Sequence, residues 1–217
     1  MIKRVMAQLI CSAVLVVGTS TQARADIIFL ASPSFVQPEE NLQFNEPGLL
    51  GGPGLMVEGI TNKSDTVFTL TGLENLVTPA AGQARVEDEG GSGFTSLVID
   101  AFDSDIFFRE FEANLNAEQN GRATITATDS KGDVFTFNFD IRGAGQNFFG
   151  LQAINGQFID TVLITTTVDL QDVRQIRLGG IQEGDDEVPD PGVPEPATLA
   201  LLGVGFIGAA SARRRRR

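Results

Sequence analysis

The chain has 217 residues, 42% of them hydrophobic and 20% charged, which allows one folded domain of ordinary size. It contains no histidine, and this excludes Ser-His-Asp or Cys-His catalysis and the usual histidine-ligated zinc or iron sites. The formal net charge of −12 argues against binding to nucleic acid, whose phosphates attract clustered lysine and arginine.

Residues 1–25 have the pattern of a secretory signal peptide. Two basic residues precede an apolar run at 9–18, which is about half the ~20 residues that a membrane span needs. This length disfavours the alternative, an uncleaved N-terminal anchor. Ala23 and Ala25 supply the small side chains of a cleavage site, so we expect the mature chain to begin at Asp26.

The mature chain is acidic and has no disulfide. The only cysteine, Cys11, lies in the signal peptide, so core packing or a bound ion must stabilise the fold. From Asp26 to Pro194 the sequence holds eight basic and 27 acidic residues, a net charge of 8 − 27 = −19. Such a surface repels nucleic acid, and it repels anionic polysaccharide unless divalent cations bridge the two.

Residues 26–181 contain short strand-like segments separated by turn residues. The segments are 27–31, 55–60, 66–71, 96–101, 121–140, 147–153, 158–167 and 173–178. This spacing is typical of a single antiparallel β-sandwich or jelly roll, so we predict an all-β ectodomain.

The clearest strand pattern is the segment 121–140, which predicts a β-hairpin. Phe135, Phe137 and Phe139 alternate with polar residues, and we expect them to face the core. Two other segments are predicted differently. The spacing of Phe108, Phe111 and Leu115 fits a short helix at 109–119 or, equally well, a strand followed by a loop. The acidic, glycine-rich segment 86–93 is expected to be an exposed loop.

Paired carboxylates are the catalytic option that the composition leaves open. Asp100, Asp103 and Asp105 cluster in the sequence, as do Glu110 and Glu112. A glycoside hydrolase needs two carboxyl groups about 5–10 Å apart in a cleft. Because clusters of this kind arise by chance in an acidic chain, we predict no catalytic residue and no enzymatic activity.

Structural calcium is the cofactor that the sequence allows, because calcium takes six to eight oxygen ligands. The oxygen-rich candidates are Asp100, Asp103 and Asp105 in one segment, and Asp129 and Asp133 in another. Neither segment matches the EF-hand loop, and a β-turn explains the second segment equally well.

The C-terminus has three consecutive parts. Residues 182–193 are acidic and proline-rich, which predicts an extended linker, and Pro194, Glu195 and Pro196 follow it. Residues 197–212 carry no charge. As a helix they would measure roughly 24 Å, so they span a ~30 Å hydrocarbon core only with thinning or snorkelling. The positive-inside rule keeps the terminal cluster in the cytoplasm: Arg213, Arg214, Arg215, Arg216 and Arg217.

This arrangement over residues 194–217 resembles the PEP-CTERM sorting signal, in which the same three elements occur in the same order. The resemblance implies a Gram-negative bacterium and cleavage near the motif by an exosortase, a membrane-embedded transpeptidase-like protease. It further implies an inner-membrane precursor and a mature form at the cell surface or outside the cell. Such proteins usually accompany exopolysaccharide production. The alternative is a simple tail anchor that begins with the same three residues.

We therefore expect a non-enzymatic surface or matrix protein associated with exopolysaccharide and biofilm. A carbohydrate-binding module for that exopolysaccharide is the alternative. The chain has no Trp or Tyr to stack on a sugar, so this alternative requires an exposed phenylalanine that lines a groove. A secreted hydrolase is less favoured and requires two facing carboxylates in a pocket.

The first prediction concerns processing. Protein recovered from the native cells should begin at or near Asp26 and end close to residues 194–196, because both sorting segments are removed. Intact-mass measurement checks both ends at once. A dominant surface form that retains residues 213–217 would contradict exosortase processing.

A variant with Pro194, Glu195 and Pro196 replaced by alanine tests the motif itself, because it leaves the apolar tail intact. Recognition should be lost, so the precursor should accumulate in the inner membrane. Normal surface levels of this variant would instead support the simple tail anchor.

Overall fold

The computed structural model describes residues 26–31, 36–79 and 84–184. Within these ranges the chain forms thirteen β-strands and no helix, which confirms the prediction of an all-β ectodomain. The strands are β1 (Asp26–Ala31), β2 (Glu40–Gln43), β3 (Gly54–Thr61), β4 (Val67–Val77), β5 (Arg85–Asp88), β6 (Phe94–Ala101), β7 (Ile106–Phe107), β8 (Glu110–Ala117), β9 (Gly121–Asp129), β10 (Val134–Ile141), β11 (Asn147–Ile154), β12 (Ile159–Gly179) and β13 (Gln182–Glu183).

The strands pack as a β-sandwich of two antiparallel layers. In the first layer the order is β10-β9-β12-β6-β4-β3, and in the second layer it is β1-β11-β8-β12. Strands β2 and β5 each pair with β12 and with a strand of the first layer, so they join the two layers beside β12. Strands β7 and β13 form a separate pair.

Strand β12 belongs to both layers. Its residues 159–166 pair with β9, and residues 170–179 pair with β8. The register against β6 shifts between Thr165 and Leu170, where the strand passes from one layer to the other. An irregularity of this kind bends a strand, which allows one strand to serve both layers.

A connected set of phenylalanine rings runs through the core between the layers, among buried Leu, Ile, Val and Ala side chains. The ring centroid of Phe29 in β1 lies 5.2 Å from Phe137 and 5.4 Å from Phe139, both in β10 of the opposite layer. It lies 6.2 Å from Phe149 in β11. These separations are typical of attractive aromatic pairs. The contacts continue from Phe149 through three further rings, in the order Phe111, Phe108 and Phe68.

The predicted hairpin is confirmed as β9 and β10, and the predicted facing of its phenylalanines is also confirmed. Phe135, Phe137 and Phe139 pack against the core, while Thr136 is exposed. The three rings are only partly buried, because among the described strands β10 pairs with β9 alone and forms an edge.

Of the two alternatives at 109–119, the strand is confirmed as β8, and the helix is wrong. The inward side chains alternate with a period of two, as strand geometry requires. They are Phe111, Ala113, Leu115 and Ala117, all buried. The alanines carry little hydrophobic signal, so the larger residues at three- and four-residue spacing resembled a helical stripe.

Three further boundaries differ from the sequence prediction. Residues 85–88, assigned largely to an exposed loop, form β5 with Val86 fully buried. The segments 158–167 and 173–178 are one continuous strand, β12. Gln182 and Glu183, expected in the linker, pair with β7. The rest of the linker from residue 185, the signal peptide and the sorting segment lie outside the described residues.

A denaturation series tests this core. Phe149→Ala should cost about 3–5 kcal/mol of unfolding free energy, since Phe149 is fully buried. Phe137→Ala should cost roughly 2 kcal/mol, because its ring is partly buried. Thr136→Ala, on the outer face of the same strand, should change stability by less than about 0.5 kcal/mol.

Urea unfolding followed by circular dichroism measures these losses, because the chain has no Trp for fluorescence. Equal losses for Phe137→Ala and Thr136→Ala would contradict the assigned facing of β10.

Candidate functional site

The five carboxylates proposed for calcium do not come together in one site. Asp103 and Asp105 are exposed after β6, and Asp103 Oδ1 accepts a hydrogen bond from the Asp105 N–H at 3.1 Å. Asp129 organises the β9–β10 turn, since its Oδ1 accepts the N–H groups of Lys131 and Asp133, both at 2.8 Å. Across the described ranges, no group of three His, Cys, Asp or Glu residues has the arrangement of a metal site.

Asp100 lies instead beside Asp160, a residue that the sequence analysis did not single out. Asp160 occupies a register irregularity in β12, between the positions paired with Asp129 and Thr128. Burial raises the pKa of Asp100, and the negative charge of Asp160 raises it further. Burial also raises the pKa of Asp160, while the hydroxyl of Thr161 lowers it and the charge of Asp129 adds to the rise.

The outer face of the second layer carries a polar stripe on β8. The stripe consists of Glu110, Glu112, Asn114 and Asn116, which alternate with the core residues of that strand. Asn114 is 3% and Glu112 7% exposed, so polar side chains on the outer face of a sheet are nearly buried. These side chains are therefore enclosed by residues of the neighbouring strands, which leave a depression on the sheet surface.

That depression is a groove of about 540 Å³ over Glu112. Strand pairing places Glu112 opposite Gly150 of β11 on one side and opposite Arg177 of β12 on the other. Phe148, half-buried, lies two residues along β11 from Gly150 and opposite Asn114. The lining residues that offer a ring, an amide or a charge are Asn41, Gln43, Glu112, Phe148, Gln175 and Arg177.

A bulge in β12 gives the groove its second wall. Between Arg174 and Arg177 the register against β8 shifts, and Gln175 has a left-handed φ of 53°. The extra residue makes Gln175 an exposed side chain beside the groove, and its Oε1 accepts the Asn114 Nδ2 hydrogen bond at 3.1 Å. Arg177 is fixed in turn, since its Nε donates to Asn41 Oδ1 at 3.1 Å.

The polar surface continues beyond the groove along β12. Asp172, 4% exposed, pairs with Arg174 at 2.7 Å and accepts the Asn116 Nδ2 hydrogen bond at 2.8 Å. Together with the groove, these groups form a strip of fixed amides, carboxylates and guanidinium groups. A concave site with few convergent polar groups and one aromatic ring is suited to a small polar ligand.

Among the groove residues, only Glu112 was a candidate from the sequence. The polar period-two pattern of β8 was the available signal, but the spacing of the large apolar residues fitted a helix equally well. Phe148, Gln175 and Arg177 could not be identified beforehand, because the bulge that brings the last two to the same face has no sequence signature.

A pH series on Asp160 tests the neighbouring carboxylate pair. Because its pKa is raised in the fold, the native state binds this proton more tightly than the unfolded state. The associated stability is therefore present below the ordinary pKa and is lost as pH rises through the raised one. Asp160→Asn should raise the urea midpoint at pH 7, and this gain should fade towards pH 3.

Glu118→Gln, at an exposed position, serves as the control and should show no such pH-dependent gain. A gain for Asp160→Asn that is equal at both pH values, or a loss at pH 7, would contradict the assigned electrostatics.

Comparison with known proteins gives one structural similarity. It is to the family 11 carbohydrate-binding module from Clostridium thermocellum, solved in complex with a β-1,3-1,4-mixed-linked tetrasaccharide. The TM-score is 0.31 at 13% identity, with 65% of this chain and 95% of that chain covered. No curated protein matches the sequence.

The comparison is decisive at the C-terminus. Within the described ranges no helix has the length and hydrophobicity that crossing a membrane requires, and the predicted membrane segment lies outside them. The profile of the PEP-CTERM protein-sorting motif matches residues 192–217. This confirms the resemblance drawn from the sequence: the chain carries a PEP-CTERM sorting signal, which marks it for exosortase-dependent export.

Proposed function

We propose that this protein is a non-enzymatic component of the cell surface or extracellular matrix whose groove binds a neutral polysaccharide. The sorting signal supports export, and its resemblance to PEP-CTERM signals implies that exopolysaccharide is produced as well. The observation that carries the binding proposal is the groove itself. A phenylalanine ring and a set of fixed hydrogen-bonding groups converge there on one outer sheet face.

The chemistry of the groove suits a sugar. A pyranose ring has an apolar C–H face that packs on an aromatic ring, and Phe148 provides that ring. Its hydroxyl groups both donate and accept, and Glu112 and the amide of Gln175 can meet them from the floor and the wall. Because Asn41 and Asn114 already hold Arg177 and Gln175 in place, little side-chain entropy is lost on binding.

The charge of the protein selects a neutral ligand. The groove floor pairs one acid, Glu112, with one base, Arg177, at opposite positions of adjacent strands. The surrounding mature chain has a net charge of −19 and repels polyanions. A neutral polysaccharide meets no such barrier, so it is the class that both the groove and the surface accept.

The proposal of a non-enzymatic role rests on the number of carboxylates at the groove. Among its described lining residues Glu112 is the single acid, whereas glycoside hydrolysis ordinarily uses two. One observation favours the rival, a hydrolase: Asp100 and Asp160 are neighbouring carboxyls with raised pKa values. Neither of them lines the groove, so a hydrolase would act on the other layer.

Calorimetric titration with soluble neutral glycans (mixed-linkage β-glucan, xyloglucan and dextran) tests the groove. Phe148→Ala should weaken binding of whichever glycan binds by about tenfold, which corresponds to about 1.4 kcal/mol. Phe102→Ala is the matched control, because Phe102 is the one phenylalanine among the exposed large hydrophobic residues of the described chain and lies outside the groove. It should leave affinity unchanged.

Alginate, a polyanion, provides the charge control and should not bind. Equal affinity of the parent and Phe148→Ala, or absence of binding to every neutral glycan, would contradict the proposal. Release of reducing ends that disappears in Asp160→Asn would establish the hydrolase instead.

A further inference from the structure

The outer face of the first layer carries an uncharged row of residues across six strands. Pairing registers align one residue from each strand: Thr136, Thr126, Leu163, Val98, Thr71 and Met56. None of them is buried. With neighbouring strands about 4.8 Å apart, the row is roughly 24 Å long. We call these six residues the central row.

A second uncharged row lies next to the central row. It consists of Asn138, Thr124, Thr165 and Ser96, one residue from each of β10, β9, β12 and β6. Side chains two positions apart on one strand are about 7 Å apart, so the two rows form a regular grid. We call the ten residues of both rows the threonine face.

The hydroxyl groups of the central row are available to a partner. In the described part of the chain, the side chains of Thr71, Thr126 and Thr136 make no hydrogen bond. Leu163 and Val98 stand between them in the row and are only half-buried. The row therefore offers methyl groups and unpaired hydroxyls side by side, which matches the mixed C–H and O–H surface of a sugar polymer.

The absence of charge on this face contrasts with the rest of the protein. The mature chain has a net charge of −19, yet acids appear on this sheet face only beyond the two rows, at positions such as Asp100, Glu58 and Asp140. A polyanion is repelled by the surroundings, and a polycation would find stronger sites elsewhere on the acidic surface. A neutral partner is what this face accepts.

Size argues against a second copy of this chain as the occupant. The two rows cover roughly 24 Å by about 10–15 Å, a few hundred Å². A stable protein interface buries about 800 Å² per partner. A polysaccharide chain can bind many protein molecules along its length, so each protein needs less contact area than a protein–protein interface does.

We propose that the threonine face is a second docking surface for neutral polysaccharide, on the layer opposite the groove. The protein then holds two polysaccharide strands at once and acts as a cross-link in the matrix. The proposal rests on the exported location and on the neutrality of this face. It extends the proposed function of the groove, but it is tested separately.

The test uses cellulose particles as an insoluble neutral glucan and measures the bound fraction of the exported chain by sedimentation. The Phe148→Ala chain should still bind the particles. Adding Thr126→Glu, which places a charge in the centre of the row, should lower the bound fraction about tenfold. Thr126→Val, which keeps the face neutral, should retain binding.

Ser130→Glu adds the same charge at an exposed turn residue outside both rows and should also retain binding. If Thr126→Glu lowers the melting temperature, Thr136→Glu on the exposed edge strand replaces it. Undiminished binding by Thr126→Glu and Thr136→Glu, or no binding by the parent, would overturn the proposal. So would light scattering that shows a dimer converted to a monomer by Thr126→Glu.

Titration with soluble glycan separates the two surfaces. If Phe148→Ala leaves the soluble-glycan affinity unchanged while Thr126→Glu abolishes particle binding, the groove assignment fails and the threonine face stands. The reverse pattern removes the threonine face and leaves the groove.

Discussion

The passage of β12 from one layer to the other is the constraint on which the rest of the structure depends. Its first part pairs with β9 and β6, and its last part pairs with β8, so one strand fixes the relative position of both layers. Strands β2 and β5 also pair with its last part and reach back to the first layer. The shift between Thr165 and Leu170 thus places one part of β12 under the threonine face and the other part beside the groove.

The interior is held by ring contacts rather than by covalent links. Residues 26–217 contain no cysteine, and the ring contacts of Phe29 join β1 to β10 of the opposite layer. Phe29 belongs to the first strand after the predicted signal-peptide cleavage site. Strand β1 therefore joins residues that are far away in the sequence, because it pairs with β11 and its Phe29 ring contacts β10.

Much of the fold could be predicted from the sequence, because period-two alternation of large apolar residues is a direct consequence of strand geometry. The hairpin of β9 and β10 is the clearest case, since three phenylalanines alternate with polar residues. Strand β8 could not be distinguished from a short helix, because two of its four inward side chains are alanines. Strand β2 gave no signal in the sequence. Its Leu42 side chain packs over Gly59, where a Cβ would lie only 2.7 Å away. This dependence on a remote residue is not visible in the local sequence pattern.

The groove was less predictable than the fold, and the reason is geometric. Its residues come from β2, β8, β11 and β12, and their proximity depends on strand order and on the bulge at Gln175. The C-terminal signal is the opposite case, because a sorting enzyme recognises a contiguous segment and the sequence shows it completely. Export was therefore predictable from the sequence, whereas the groove required the tertiary structure.

Charge connects the two outer faces to the rest of the molecule. An acidic surface keeps an exported chain soluble and disfavours contacts with polyanions, but it imposes no penalty on neutral partners. Within this surface the groove offsets Glu112 with Arg177, and the two rows of the threonine face contain no charge. The two faces are thus neutral for different reasons. The groove has one acid opposite one base, whereas the threonine face has no charged residue. The proposed neutral ligand would suit both faces, whereas a requirement for solubility alone predicts acids on them as well.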